Sequence, residues 1–451
     1  MQINVLKFGG TSMADHQTWK QVLDIIKKYE YPIVVVSATA RTTRQLVEAG
    51  NLAAAGKLNE AREIALGIKE RHNTIVQNFL EDNPHAKNSL IKESCLKNTE
   101  AKIGKLNKLL VYTHRQGTLS PQMKDAISST GEQISSYLLA QCGLALDMMT
   151  QHVEARKIIK TDAEYGKANP NLLQITQRCG SLETILESGF TPIIGGFYGE
   201  APDKTITTLG FEGSDYTASL VGGAINAKTI EIWTDVSGVY TSDPRYIPDA
   251  KPLAEMSYFD ATEMAYFGAK VLHPSTLKPA QEKNIPVLVK NMFKPDDEGT
   301  KIIRESKHEL DVLAMSFKPN MATLTVSAYE TVMGFSFLTK VFSVLEKHRV
   351  AVDAVNTTEA SVTIALSDSP LLDQLTKEFI EIGNVSLERE KGLISLIGCS
   401  IHTADQLTAK IFNSIGSLKL DLISFTKEKR ILNIVLADDK LIESAQTIHK
   451  K

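Results

Sequence analysis

Cysteine is scarce: Cys95, Cys142, Cys179 and Cys399 are the only four in 451 residues, and no two of them form a C-x-x-C pair. That excludes a disulfide framework and a zinc ribbon, and it fits a reducing compartment. Charge of one sign is lacking too, since 50 Lys and Arg face 53 Asp and Glu, a net charge of −3 with neutral histidines. Without a concentrated basic face, neither nucleic acid nor a membrane surface is expected as a partner. No apolar stretch approaches the roughly 20 residues of a membrane span. The opening Met1-Gln2-Ile3-Asn4-Val5-Leu6-Lys7 reads as a strand and lacks the regions of a signal peptide, so a cytoplasmic location is expected. Several catalytic signatures are absent as well. No Gly-x-x-x-x-Gly-Lys-Ser/Thr loop, His-Glu-x-x-His helix or Gly-x-Ser-x-Gly elbow occurs, which removes Walker-type, zincin and nucleophile-elbow chemistry.

What is present is a globular composition with 43% apolar residues, long enough for about two to four domains. Up to about residue 300, short apolar runs alternate with helical stretches. Ile3 to Phe8, Pro32 to Ala38, Thr191 to Gly196, Thr229 to Thr234 and Ile285 to Val289 read as strands buried on both faces. Between them, Trp19 to Tyr29 puts Val22, Leu23, Ile25 and Ile26 on one helical face, and Thr130 to Leu139 opens on a Thr-x-x-Gln capping box. The fold class is therefore α/β, a mainly parallel sheet sandwiched by helices, with ligands at the carboxyl ends of its strands.

Beyond Lys294-Pro295-Asp296-Asp297-Glu298-Gly299, a natural linker, the pattern changes. An offset of 70 residues lays Lys340-Val341-Phe342 on Lys410-Ile411-Phe412, Val350 and Val352 on Leu420 and Leu422, and Ile364 and Leu366 on Ile434 and Leu436. It also lays Leu324 and Val326 on Ile394 and Leu396. Each copy reads as a βαββ unit. The expected organisation is one α/β domain over 1–300 and two α+β modules over 308–385 and 386–451.

Four segments carry candidate chemistry. Lys7-Phe8-Gly9-Gly10-Thr11-Ser12 ends a strand, where two glycines let backbone N–H groups approach an anion and Lys7 adds a mobile charge. Its bland reading is a turn. In Gly213-Ser214-Asp215-Tyr216-Thr217-Ala218, either Ser214 or Asp215 caps a helix, or Asp215 orients Lys7. Trp233-Thr234-Asp235 runs into a polar loop with Tyr240 and Asp243-Pro244-Arg245, offering donors, an acceptor, a ring and a guanidinium at the sheet's ligand edge, or simply a loop ended by Asp-Pro. Phe267-Gly268-Ala269-Lys270-Val271-Leu272-His273-Pro274 is the fourth; its histidine reads as packed rather than catalytic.

In this order the four segments resemble the amino-acid kinase superfamily, and specifically lysine-sensitive monofunctional aspartate kinases, with the tail repeat similar to their tandem ACT domains. The resemblance implies ATP-dependent phosphorylation of the β-carboxylate of L-aspartate, with Mg2+ carried by the nucleotide and no metal cage of the protein's own. It implies Lys7 at the transferring phosphoryl group, positioned by Asp215, and nucleotide contacts from Phe8, Gly9, Gly10, Ser37, Thr234, Asp235, Tyr240, Arg245, Lys270 and Val271. Thr43, Glu132 and Ser214 match substrate contacts, with Glu132 suited to the ammonium of aspartate. Lysine is implied as effector, at Phe337, Leu338, Asp353, Thr358 and Glu359 of the first module, where Thr331 and Gly334 replace the usual residues. A homodimer or tetramer through these modules is implied too, with the strand near Asp311 to Phe317 belonging to the second module. One position departs. Where the family carries an arginine that grips a substrate carboxylate, this chain has Phe211, followed by Glu212. Arg41 or Arg44, in Ala40-Arg41-Thr42-Thr43-Arg44, is expected to supply the missing fork. An amino-acid kinase with another carboxylate acceptor, and a catalytically weak amino-acid sensor, are the competing readings.

Overall fold

A computed structural model of the chain describes every residue except 86, 268–271, 273, 307–311, 330–333, 399–408, 410, 414–415, 417–418, 427–429 and 451. The strands are β1 (Asn4–Phe8), β2 (Pro32–Val36), β3 (Thr150–Val153), β4 (Thr191–Gly195), β5 (Tyr198–Glu200), β6 (Ile206–Thr208), β7 (Thr229–Thr234), β8 (Glu255–Ser257), β9 (Val287–Asn291) and β10 (Thr300–Ile303). After them come β11 (Ala314–Ala328), β12 (Ala354–Thr357), β13 (Ser361–Ser367), β14 (Gly383–Ile397), β15 (Leu420–Thr426) and β16 (Ile431–Ala437). The helices that matter below are α1 (His16–Ile26), α2 (Thr42–Ala54), α3 (Leu58–Asp82), α4 (Asn88–Gln116), α5 (Pro121–Ser128), α6 (Thr130–Leu144) and α7 (Gly213–Ala224). None of the described helices is long and apolar enough to cross a membrane.

The chain forms two units, residues 1–239, 254–258 and 272–306 in the first and the remainder in the second. In the first, one sheet runs in the order β3-β4-β2-β1-β7-β9-β10-β8. From β3 to β9 every pairing is parallel; β10 is antiparallel to β9. Strands so placed are covered on both faces, which is why β2 is a bare Pro-Ile-Val-Val-Val run, buried throughout. On one face Leu6, Phe8, Val34 and Val36 pack against Trp19, Leu46, Phe79, Leu110 and Leu138 of the helices.

One local expectation needs correction. The Thr130 capping box does not form, because α5 runs into α6 through Ser129, whose backbone is already helical, so Thr130 lies inside the helix. Gln133 Nε2 donates to Ser129 Oγ at 3.1 Å instead. The capping box that does form is on α1, where Asp15 and Thr18 exchange side-chain to backbone bonds.

The second unit is a six-stranded antiparallel sheet in the order β12-β13-β11-β14-β16-β15. The 70-residue offset maps one core onto another: Leu324, Val326, Val341, Ile364 and Leu366 share the first, and Ile394, Leu396, Ile411, Ile434 and Leu436 share the second. β11 and β14 are each 15 residues long and serve both cores. The start of β11 contributes Met315 and Phe317 to the second core and its end contributes Leu324 and Val326 to the first. The first module is thus inserted within the second.

Candidate active site

The strand order reverses direction at β1, with β2 on one side and β7 on the other, which opens a crevice at the carboxyl ends of these strands. Lys7 lies next to the end of β1, is 7% exposed, and places its Nζ 2.7 Å from Asp215 Oδ1. Neither Ser214 nor Asp215 caps α7. The cap position is Glu212, in the left-handed region at φ 54°, and Asp215 falls in the first turn, where the helix dipole favours a carboxylate. With both side chains about nine-tenths buried, each neutralises a charge that would be costly alone. The contact is close without the alignment of a hydrogen bond, for Oδ1 has no hydrogen-bond donor. A Cβ at Gly9 would stand 3.4 Å from Lys7 Nζ. Glycine there keeps the space beside the ammonium open.

A cleft of about 310 Å³ adjoins this pair, lined by Gly10, Ser37, Thr43, Glu132, Ser214 and Asp215, with Arg41, Arg44 and Phe211 also in its wall. Glu132 is its most unusual member. The residue is 3% exposed, its Oε2 has no hydrogen-bond partner, and burial pushes its carboxyl pKa up to about 8. It reaches the cleft because Gly131 lets α6 touch the loop after β2; a Cβ there would lie 2.6 Å from that of Ala38.

The loop from Ser37 to Arg44 is held from behind by residues that the sequence reading did not single out. His72 Nδ1 lies 2.7 Å from the Ile68 carbonyl, which can only accept, so Nδ1 donates and Nε2 is left as acceptor. Thr39 then donates to Nε2 at 3.2 Å, Thr42 donates to Thr39 at 2.5 Å, and Arg71 donates to Thr42 at 2.5 Å. Every bond in this chain has one consistent direction, and it requires a neutral imidazole; burial lowers the His72 pKa to about 4. Asp125 was missed as well. It accepts from Gly166 N and from the Thr208 amide and hydroxyl, each at 2.8 Å, and so pins the strand that leads into Gly210-Phe211-Glu212. The signal for His72 was a histidine on an apolar stripe with Ile68, Ile75, Val76 and Phe79.

Thr234 ends β7 and Asp235 follows it, at the same edge as Gly9, whose amide donates to the Trp233 carbonyl. Tyr240 and Arg245 belong to the second unit, and Arg245 is closed on Asp243 at 2.6 Å. Lys270, Val271 and His273 lie outside the described residues, as does Thr331. Among the expected effector residues, Phe337 is buried in the first module's core and Leu338 packs against it. Asp353 is paired with Lys318 at 2.6 Å, while Thr358 and Glu359 are exposed.

The pattern of the amino acid kinase family matches residues 2–291. The lysine-sensitive aspartokinase 3 of Escherichia coli is 30% identical over 99% of this chain and 98% of its own length. The chloroplastic aspartokinase 3 of Arabidopsis thaliana is 31% identical over 99% of this chain and 80% of its own. The crystal structure of E. coli aspartokinase III in complex with aspartate and ADP superposes with a TM-score of 0.83 at 30% identity, covering 99% of both chains. The chain belongs to the amino acid kinase family and, within it, to the aspartokinases.

Proposed function

We propose that this chain transfers the γ-phosphoryl group of ATP to the β-carboxylate of L-aspartate, giving 4-phospho-L-aspartate and ADP. The observation that carries the reading is a buried Lys7–Asp215 pair beside a cleft whose wall holds the buried Glu132 carboxyl, with its Oε2 unpaired. A carboxylate oxygen attacks phosphorus, the bond to the ADP oxygen breaks, and the protein's task is alignment and charge stabilisation. Lys7 follows the charge on the transferring group, held by Asp215. The backbone at Phe8, Gly9, Gly10 and Ser37 faces the phosphates, and Thr234 and Asp235 flank the nucleotide. Glu132 takes the aspartate ammonium; Thr43 and Ser214 hydrogen-bond the substrate.

Magnesium fits this site as a passenger of the nucleotide, since the space that Gly9 keeps open beside Lys7 suits phosphate oxygens rather than a protein cage. When bound it offsets phosphate charge. The test is ADP release with Mg-ATP across a panel of amino acids, with the acyl phosphate trapped by hydroxylamine. L-Aspartate alone is expected to support both signals. Phe211, 80% exposed in the cleft wall, favours the second reading, an acceptor with an apolar group; turnover of such an acceptor in place of aspartate would establish it.

Feedback by lysine at Phe337, Leu338, Asp353, Thr358 and Glu359 accompanies this activity, supported by the lysine sensitivity named for the E. coli relative. Lysine has to displace Lys318 from Asp353, so Lys318→Met should lower the concentration needed for half-inhibition. Self-association through the second unit, as a homodimer or tetramer, is supported by the exposed apolar side chains Phe342, Val355 and Phe425, and light scattering tests it.

A further inference from the structure

A substrate with one ammonium and two carboxylates needs three charged contacts; on the proposed reading Glu132 in the cleft wall meets the ammonium, and Lys7, beside the cleft on Asp215, serves the reacting end. The α-carboxylate is left over. The cations in the cleft wall are Arg41 and Arg44, both exposed, and neither has an acidic partner within ion-pair distance among the described residues. Behind them stands Arg71, half-buried, with its Nε buried and unpaired and with no acidic partner among the described residues. Guanidiniums gathered without a carboxylate repel one another unless an anion joins them.

The backbone adds an independent observation. Arg41 sits at φ 67°, a left-handed conformation that glycine adopts freely and a long side chain does not. Strain of this kind persists where the side chain is needed. The position precedes α2 and makes no side-chain cap bond, so capping does not account for the arginine.

We propose that Arg41 and Arg44 form a two-guanidinium clamp for the α-carboxylate of the acceptor amino acid, and that Arg71 positions it. Arg71 does so through its bond to Thr42, which fixes the loop, and through its own charge, which turns the Arg41 side chain toward the cleft. Burial lowers the Arg71 pKa, and the charge of Arg41 adds a smaller lowering. The clamp faces a wall that carries Phe211 and so contributes no cation of its own. This inference rests on the aspartate kinase reading and names how that site selects its substrate.

The test uses the full chain with Mg-ATP and compares L-aspartate with its α-carboxamide, which keeps the reacting carboxylate and the ammonium. The unmodified protein should discriminate against the amide by about ten to a hundredfold. Arg41→Gly should melt at a higher temperature because the backbone strain is relieved, yet raise the aspartate KM about tenfold with kcat and the ATP KM little changed. The Arg41→Ala, Arg44→Ala double variant should raise the aspartate KM about a hundredfold and lose the discrimination. A double variant with an unchanged aspartate KM, or one that still discriminates against the amide, overturns the clamp. An unmodified protein that turns over no aspartate overturns the kinase reading instead.

Discussion

The two ends of the cleft treat charge in opposite ways. At the phosphate end, Lys7 and Asp215 are buried together and already neutralise each other. At the proposed acceptor end, Glu132 is buried without a counter-ion, and Arg41 and Arg44 have no acidic partner, among the described residues. The first end is complete before any ligand arrives. On the proposed reading the second is completed by the ligand, whose own ammonium and carboxylate would be the missing counter-charges. Preorganised charge suits a transition state and unpaired charge suits selection of a substrate, so the two ends should fail differently when broken.

The largest effect is expected at the phosphate end. Lys7→Met should lower kcat about a thousandfold, on the scale of losing one preorganised stabilising group, while the aspartate KM stays within a few-fold. Asp215→Ala should lower kcat too and destabilise the fold by about 3–5 kcal/mol, since it strands a buried ammonium. Steady-state kinetics and thermal melts check both. A Lys7→Met enzyme that lost aspartate affinity and kept its kcat would erase the contrast between the two ends.

Glu132→Gln comes next and should act on KM, raising it about ten to a hundredfold at constant kcat. The pH dependence sharpens this. A carboxyl with a folded pKa of about 8 must lose its proton to receive an ammonium, so kcat/KM for aspartate should rise with pH through about 8 and the variant should lose that rise. Stability has the reverse sign. Below the ordinary pKa of 4.5 the carboxyl is neutral in both states and costs nothing; between 4.5 and 8 the folded state binds the extra proton, so stability falls as pH rises. Glu132→Gln should therefore melt higher than the unmodified protein at pH 8.5 and alike at pH 4.5. Gly131→Ala, whose Cβ would meet Ala38 at 2.6 Å, should push the loop from Glu132 and cost about 1–3 kcal/mol in chemical denaturation.

Much of the phosphate end was legible in the sequence, and the acceptor end less so, for physical reasons. Central parallel strands are buried on both faces and leave continuous apolar runs, so β1, β2, β4 and β7 stand out; Lys7 lies in β1 just before Gly9-Gly10, and Asp215 lies in the first turn of α7 just after Gly213. The 70-residue repeat was legible because both copies bury the same phase. By contrast, the acceptor loop is secured by α3, a 25-residue helix whose contact with residues 39–42 is a matter of tertiary packing, and no local pattern announces that Arg71 meets Thr42. Nor does a local pattern announce that Ser129 is helical, which is why the Thr130 cap failed, or that Tyr240 and Arg245 fold with the second unit.

The smallest effect lies deepest behind the acceptor end. The chain from Arg71 through Thr42 and Thr39 to His72 holds only while the imidazole is neutral, because a protonated Nε2 accepts nothing. Its folded pKa of about 4 lies below the ordinary 6.5, so the unfolded state takes up a proton first as pH falls; the contribution is whole above 6.5 and disappears as pH drops through 4. His152, half-buried in the same unit and lowered to about 4 chiefly by desolvation, adds a parallel loss. His72→Leu should therefore reduce the acid-induced loss of stability between pH 6.5 and 4 while costing about 1–2 kcal/mol at pH 7 through the stranded Thr39 hydroxyl. Because Lys7 and Asp215 make no bond to this chain, kcat should hold and only the aspartate KM should rise a few-fold. A matching fall in kcat would mean that the two ends are coupled through the loop, and the division of labour between them would have to be abandoned.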